Sequence, residues 1–136
     1  MSQKQLIDPK ALQSLFHQEC KSRLTSFTAT LSQAVQDPDC ESRWDALHQE
    51  LDSIANAARI VNDPDTERVS RELATLARKA RKQPRLRMQV LELLLRGITA
   101  IHCHCLEPQL SESGETLDYR RLDKRLKAFD QDRTEE

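Results

Sequence analysis

Apolar side chains recur at intervals of three and four residues in four successive segments of this chain, and proline-containing breaks separate the segments. This interval matches the turn of an α-helix, so each segment predicts a helix with one apolar face. The breaks lie at residues 37–39, 62–64 and 83–84. Four amphipathic helices joined by short connections predict an all-α, antiparallel up-down four-helix bundle.

The pattern also sets the predicted boundaries. Helix one begins at Asp8-Pro9, and helices two, three and four span about 40–61, 64–82 and 84–106. The bundle therefore occupies residues 8–106, a polar loop follows at 107–116, and a charged additional helix spans 117–130. The predicted core comprises Leu12, Phe16, Cys20, Leu24, Phe27, Leu31, Ala34, Trp44, Leu47, Leu51, Ile54, Ala58, Val61, Val69, Leu73, Leu76, Ala80, Val90, Leu91, Leu94, Ile98, Ile101, Cys105, Tyr119, Leu122, Leu126 and Phe129.

Composition narrows the classes of function. The chain has 136 residues, only two glycines and a net charge of −1 from 21 basic and 22 acidic residues. Few turn glycines favour an all-α fold over a sheet, and the balanced charge predicts no nucleic-acid or membrane partner. The polar N-terminus lacks the apolar region of a signal peptide, so we expect a cytoplasmic protein with reduced cysteines.

Residues 46–61 read Ala-Leu-His-Gln-Glu-Leu-Asp-Ser-Ile-Ala-Asn-Ala-Ala-Arg-Ile-Val. This stretch resembles the active helix of a histidine phosphotransfer (HPt) domain, most like the N-terminal domain of CheA/WspE-type chemosensory kinases. That family's motif reads His-Ser-Leu-Lys-Gly-Ala-Ala-Arg-Ile-Val, and residues 53, 54 and 57–61 fit it without a gap. Residues 91–101 resemble the family's fourth helix. The resemblance implies the four-helix bundle and a fifth helix.

The residues that perform phosphoryl chemistry in the family are replaced here. Asp52 stands at the phospho-accepting His, Ala55 at the Lys and Asn56 at the Gly. A carboxylate is not a nitrogen nucleophile, and transfer to an Asp requires a Mg²⁺ site that the sequence does not indicate. The resemblance therefore implies an HPt-like protein that lacks its acceptor. We expect no enzymatic activity, no cofactor and no metal.

A retained docking surface is the function that this resemblance suggests. At 100° per residue, the outward flank of helix two carries His48, Asp52, Ala55, Asn56 and Arg59. These residues are the predicted partner-binding face. The expected partner is a receiver domain or a CheA-type histidine kinase in a bacterial two-component or chemosensory signalling pathway.

Two alternatives remain open. His48 lies one helical turn before Asp52 and would be a displaced phospho-acceptor, which makes the protein an active phosphotransfer protein. Alternatively, the chain is a structural dimerisation bundle, a homodimer with no signalling role. Receiver binding separates the signalling hypotheses from the structural one, and acid-labile phosphate separates the two signalling hypotheses from each other.

Two further clusters have simpler interpretations. His102 and Cys105 share a helix face, but two ligands do not make a tetrahedral zinc site, so we expect Cys105 in the core and the histidines at a frayed helix end. Six basic residues between Arg78 and Arg87 predict a solvated corner that suits the C-terminus of helix three. Binding of this corner to an acidic protein surface remains open.

Overall fold

A computed structural model describes residues 9–106 and 117–134, and these residues form five α-helices without a strand. The helices are α1 (Pro9–Gln36), α2 (Glu41–Ile60), α3 (Pro64–Lys82), α4 (Arg87–Leu106) and α5 (Leu117–Thr134). A short 3₁₀ turn, Pro84–Leu86, precedes α4. The all-α prediction is confirmed. The predicted Asp8 cap, the Leu12 side chain and the 107–116 loop lie outside the described residues.

The first four helices form a closed bundle. α1 packs on α2 and α4, and α3 packs on the same two helices from the other side. The short turns between consecutive helices make neighbours antiparallel, as expected for an up-down bundle. α5 lies outside this ring and packs mainly on α4. Within the described residues, no helix is both long and apolar enough to cross a membrane.

The core follows the three- and four-residue periodicity. Every predicted core residue with a described side chain is buried except Val61, which is partly buried at the end of the cluster. Trp44 is the largest fully buried side chain. Its indole Nε1 donates a hydrogen bond to the Pro38 carbonyl at 2.8 Å, so burial leaves no unpaired donor.

The turn between α2 and α3 ends one helix and caps the next within three residues. Asn62 has φ 61°, in the left-handed region that Asn tolerates better than most residues. The Asn62 and Asp63 amides donate to the carbonyls of Arg59 and Ala58, which is the Schellman pattern. The Asp63 side chain then accepts from the Thr66 amide and caps α3.

The corner between α3 and α4 differs from the prediction. Arg87 was expected in a solvated basic corner, but the structure buries it. Its Nε and Nη2 each donate at 2.8 Å, to the carbonyls of Ala80 and Arg81. These carbonyls belong to the last turn of α3, where a helix lacks partners for its C=O groups. Arg87 is buried because it caps α3 from the following helix.

Two helix boundaries also differ from the prediction. The residues Pro84–Leu86 form a 3₁₀ turn rather than the start of α4, with the Leu86 amide donating to the Gln83 carbonyl. α5 continues to Thr134 instead of ending at residue 130. The prediction stopped at the last apolar residue of the stripe, but no Pro or Gly follows to end the helix.

Candidate functional site

The outward flank of α2 is only partly exposed. Asn56 and Arg59 are exposed as predicted. The Asp52 side chain is 40% exposed and the His48 side chain only 25%, because both lie towards α3. Four of the five predicted face residues therefore reach the surface to different degrees, and the most accessible part of the face is near its C-terminal end.

Ala55 is the exception, and its prediction as an exposed face residue is wrong. Ala55 is fully buried. It lies two helical turns after His48, on the same side of α2, and the His48 ring contacts the Ala74 carbonyl of α3. Small residues along α3, Ala74 and Ala77, are also buried and let the two helices approach closely. Ala55 is thus part of the α2–α3 packing and is not available to a partner.

His48 is held on both sides of its ring. Nδ1 lies 3.2 Å from the Ala74 carbonyl oxygen, and Nε2 lies 3.2 Å from Asp52 Oδ2. A carbonyl oxygen only accepts, so Nδ1 carries a hydrogen. The remaining nitrogen faces a carboxylate, which would repel an incoming phosphoryl group. This geometry places His48 poorly for nucleophilic attack.

Arg71 of α3 completes the face, although no sequence pattern indicated its part in it. Arg71 Nη2 donates to Asn56 Oδ1 at 2.9 Å, and Arg71 Nη1 lies 3.7 Å from Asp52 Oδ1. Arg71 also pairs with Glu67 one turn earlier on its own helix. Asp52 therefore lies between His48 and Arg71, and Arg71 is shared between Asp52 and Glu67.

An apolar groove lies beside this face, between α1 and α2. It has a volume of about 360 Å³, and Phe16, Ala57 and Val61 are among the residues that line it. Leu15 and Ile60 line it too, with 59% and 69% of their surfaces exposed. Asn56 lies on the rim. Leu15 and Ile60 lie outside the buried stripes of α1 and α2, and these two unburied apolar residues are the indication of the groove in the sequence.

The His102–Cys105 segment lies at one end of the bundle. Cys105 is buried, as predicted. His104 does not lie at a frayed end: its Nε2 lies 3.3 Å from Asp63 Oδ2, and its ring lies 4.7 Å from the Tyr119 ring. Among the residues that the structure describes, no group of three or more potential ligands is arranged to hold a metal ion.

His104 and Asp63 each shift the pKa of the other. The hydrogen bond that His104 donates to Asp63 raises the pKa of His104 above its ordinary value, although partial burial opposes the shift. Burial alone would raise the pKa of the Asp63 carboxyl, but hydrogen bonds from His104 and Thr66 outweigh it and lower that pKa. The two shifts agree with an ion pair that connects the start of α3 to the end of α4.

Comparison with known proteins adds no relative to this picture. No protein family, no curated protein and no solved structure matches the chain. The geometry itself defines a helical bundle with an additional helix, an apolar surface groove and an adjacent polar face on α2.

Proposed function

We propose that this protein binds a receiver domain or a CheA-type kinase through the α1–α2 groove and the adjacent face of α2, without accepting phosphate. It would act as an HPt-like interaction protein in a bacterial two-component or chemosensory pathway, with no enzymatic activity and no cofactor. The observation that carries the proposal is the exposed apolar groove beside Asn56, the position that corresponds to the family's Gly.

The groove has the composition of a docking site. Leu15 and Ile60 expose more than half of their surfaces, and adjacent exposed apolar side chains are typical of a surface that a partner covers. Protein interfaces typically combine an apolar centre with a polar rim. Here the Glu19–Arg23 ion pair borders the groove on α1, and Ser53 and Asn56 border it on α2.

Asp52 would contribute little to such an interface. His48 and Arg71 already contact its carboxylate, so a partner would compete with these neighbours for it. The carboxylate also carries less charge than a phosphoryl group. We therefore expect Asp52→Ala to change affinity by less than about threefold, the range of an exposed ion pair.

The competing hypotheses make different predictions. Phosphotransfer through His48 requires a ring nitrogen directed at the partner, whereas both nitrogens of His48 face oxygen atoms of the protein. A purely structural dimer would bury the α1–α2 groove against a second copy. It predicts a stable dimer and no binding to receivers.

The test is titration of this protein with purified receiver domains and CheA-type kinases whose genes lie near its own. Binding is measured by fluorescence anisotropy. Asn56→Arg places a long charged side chain on the rim of the groove and should weaken binding about tenfold or more. Gln89→Arg is the matched control, because Gln89 is an exposed polar residue on α4, outside the groove.

The outcomes separate the hypotheses. Loss of binding by Asn56→Arg with unchanged binding by Gln89→Arg supports the proposed surface. Equal binding by all three proteins removes the α2 face from consideration and leaves the basic corner as the next candidate. No binding to any receiver or kinase, together with a stable dimer in solution, favours the structural hypothesis.

A further inference from the structure

The two sides of α5 are built differently. On the side that faces α3, Arg68 donates two hydrogen bonds to the Asp123 carboxylate, at 2.9 Å and 3.2 Å. This paired contact raises the pKa of Arg68 through the same hydrogen bonds, despite some desolvation. A groove of about 320 Å³ lies on this side, and Arg68 and Asp123 line it as a matched pair of opposite charges.

The groove on the side of α5 that faces α4 is larger. This groove of about 480 Å³ runs between the two helices, and its lining includes Leu95, Ala100 and Leu122. Leu95 is 57% exposed, while Ala100 and Leu122 are buried at the base. The floor of this groove is thus apolar, and α5 leaves part of it uncovered.

Three arginines line this groove. Arg96 projects from α4, and Arg121 and Arg125 project from successive turns of α5. Glu92 is the one carboxylate among the described lining residues, and it pairs with Arg96 at 3.2 Å. Among the residues whose side chains the structure describes, no carboxylate forms an ion pair with Arg121 or Arg125.

This arrangement departs from the balance of the rest of the molecule. The chain as a whole has a net charge of −1, yet the described lining of this groove contains three guanidinium groups and a single carboxylate. Arg121 and Arg125 lie one turn apart on α5, and an anionic occupant would offset the repulsion between them. Guanidinium groups also bind carboxylates with two parallel hydrogen bonds, which makes Arg common in interfaces.

We propose that the α4–α5 groove binds an acidic amphipathic helix of a partner protein. Its carboxylates would pair with Arg121 and Arg125, and its apolar residues would cover Leu95. An apolar floor favours a protein segment over a small free anion, because only the former buries Leu95. The site is separate from the α1–α2 groove and does not depend on the function proposed for that surface.

Binding of a labelled helical peptide to the full chain tests this inference. The probe is a fluorescent peptide of about 18 residues, long enough to form a helix, with one stripe of Glu and one stripe of Leu. A scrambled peptide of the same composition measures non-specific attraction. Inorganic pyrophosphate, added as a competitor, tests whether a small anion suffices.

Two double variants carry equal changes in charge. Arg121→Glu with Arg125→Glu reverses the groove wall, and Arg120→Glu with Lys124→Glu reverses exposed residues of α5 that do not line the groove. Because all four positions are exposed, both proteins should fold, which circular dichroism and thermal melting verify.

We expect the amphipathic peptide to bind the wild type at least tenfold more tightly than the scrambled peptide. The groove variant should lose at least tenfold in affinity, and the control variant should stay within about twofold at moderate salt. Equal loss in both variants, equal binding of both peptides, or no binding would overturn the proposal. Full displacement by millimolar pyrophosphate would assign the groove to small anions instead.

Discussion

Gly97 on α4 faces Leu73 on α3 so closely that a methyl group at Gly97 would overlap the Leu73 side chain. A Cβ there would lie 3.1 Å from Leu73 Cδ2 and nearer still to Cδ1. Leu73 is fully buried, so its side chain cannot turn aside without disturbing its neighbours. The missing side chain at Gly97 therefore determines how closely α3 and α4 pack.

This contact predicts that the effect of Gly97→Ala on the free energy of unfolding changes sign when Leu73 is truncated. Gly97→Ala should lower the free energy of unfolding by about 1–3 kcal/mol through overpacking, although Ala favours a helix by about 1 kcal/mol. In a Leu73→Ala background, the same substitution should be stabilising, since the obstructing side chain is gone. Urea unfolding of the four proteins measures both effects. Stabilisation by Gly97→Ala in the wild type would contradict the close contact.

The second prediction concerns phosphoryl transfer. Incubated with a phosphorylated receiver or an active CheA-type kinase, the protein should acquire no label, because Asp52 is not a nitrogen nucleophile and both His48 nitrogens face oxygen atoms. Gel autoradiography after acid and alkaline treatment measures any phosphate and its linkage. Acid-labile label that disappears in His48→Gln would instead support phosphotransfer through His48.

The third prediction concerns pH and the ion pair of His104 with Asp63. The pKa of His104 is raised in the folded protein, so its contribution is fully present below its ordinary value of about 6.5. That contribution is lost as the pH rises through the higher folded value. The pKa of Asp63 is lowered in the folded protein, so Asp63 contributes to stability above about pH 4. This contribution is lost as the pH falls through the pKa of the folded state.

The pair should therefore stabilise the fold most between about pH 4 and 6.5. Asp65 also favours the charged form of His104, so removing Asp63 alone should not abolish the effect. We expect the stability difference between the wild type and His104→Gln to shrink as the pH rises from 6.5 to 9, by urea unfolding at each pH. A difference that is constant across this range would show that the pair contributes nothing.

The fourth prediction orders the reactivity of the cysteines. Cys40 precedes α2, and hydrogen bonds from the Ser42 hydroxyl and the Arg43 amide lower the pKa of its thiol. Cys20 and Cys105 are buried, and the hydrogen bond between them raises the pKa of Cys105 and lowers that of Cys20. Burial restricts the access of a reagent to both thiols. At pH 7.5 a maleimide should modify Cys40 about tenfold faster than either buried thiol.

Mass spectrometry of partly labelled protein gives this order directly. Cys40→Ser should remove labelling at this position and leave the partly exposed Cys103 as the next site. Ser42→Ala should slow labelling of Cys40, since the Ser42 hydroxyl then no longer favours the thiolate. Rapid labelling of Cys20 or Cys105 in the folded protein would show that the end of the bundle opens readily.

Sequence periodicity accounts for most of the fold because helix geometry and proline chemistry are local. α3 begins and ends at Pro64 and Lys82 as predicted, since Asp63-Pro64 caps the helix and Gln83-Pro84 stops it. Each apolar stripe likewise identifies the core, because the position of a residue in the sequence determines which face of its helix it lies on.

The candidate site depends on how neighbouring helices meet, which a local pattern does not specify. Ala55 was predicted at the surface from its position on the α2 helical wheel alone. How much of α2 is covered by α3 also depends on the small residues of α3, which the α2 sequence does not contain. Arg71 lies 15 residues from Asn56, and only the register of α3 against α2 brings them together. The α1–α2 groove arises in the same way, from Leu15 and Ile60 on separate helices.

The buried Arg87 has a consequence for how the molecule opens. Helix ends usually exchange their amide hydrogens quickly, because a terminal turn unfolds at small cost. Here the last turn of α3 is hydrogen-bonded to a guanidinium group that the first turn of α4 supplies. Opening of either turn alone would break both hydrogen bonds and leave the buried guanidinium with Asp39 as its remaining partner, at 3.3 Å. The amides on both sides of this corner should therefore exchange together, and more slowly than those of an ordinary helix end.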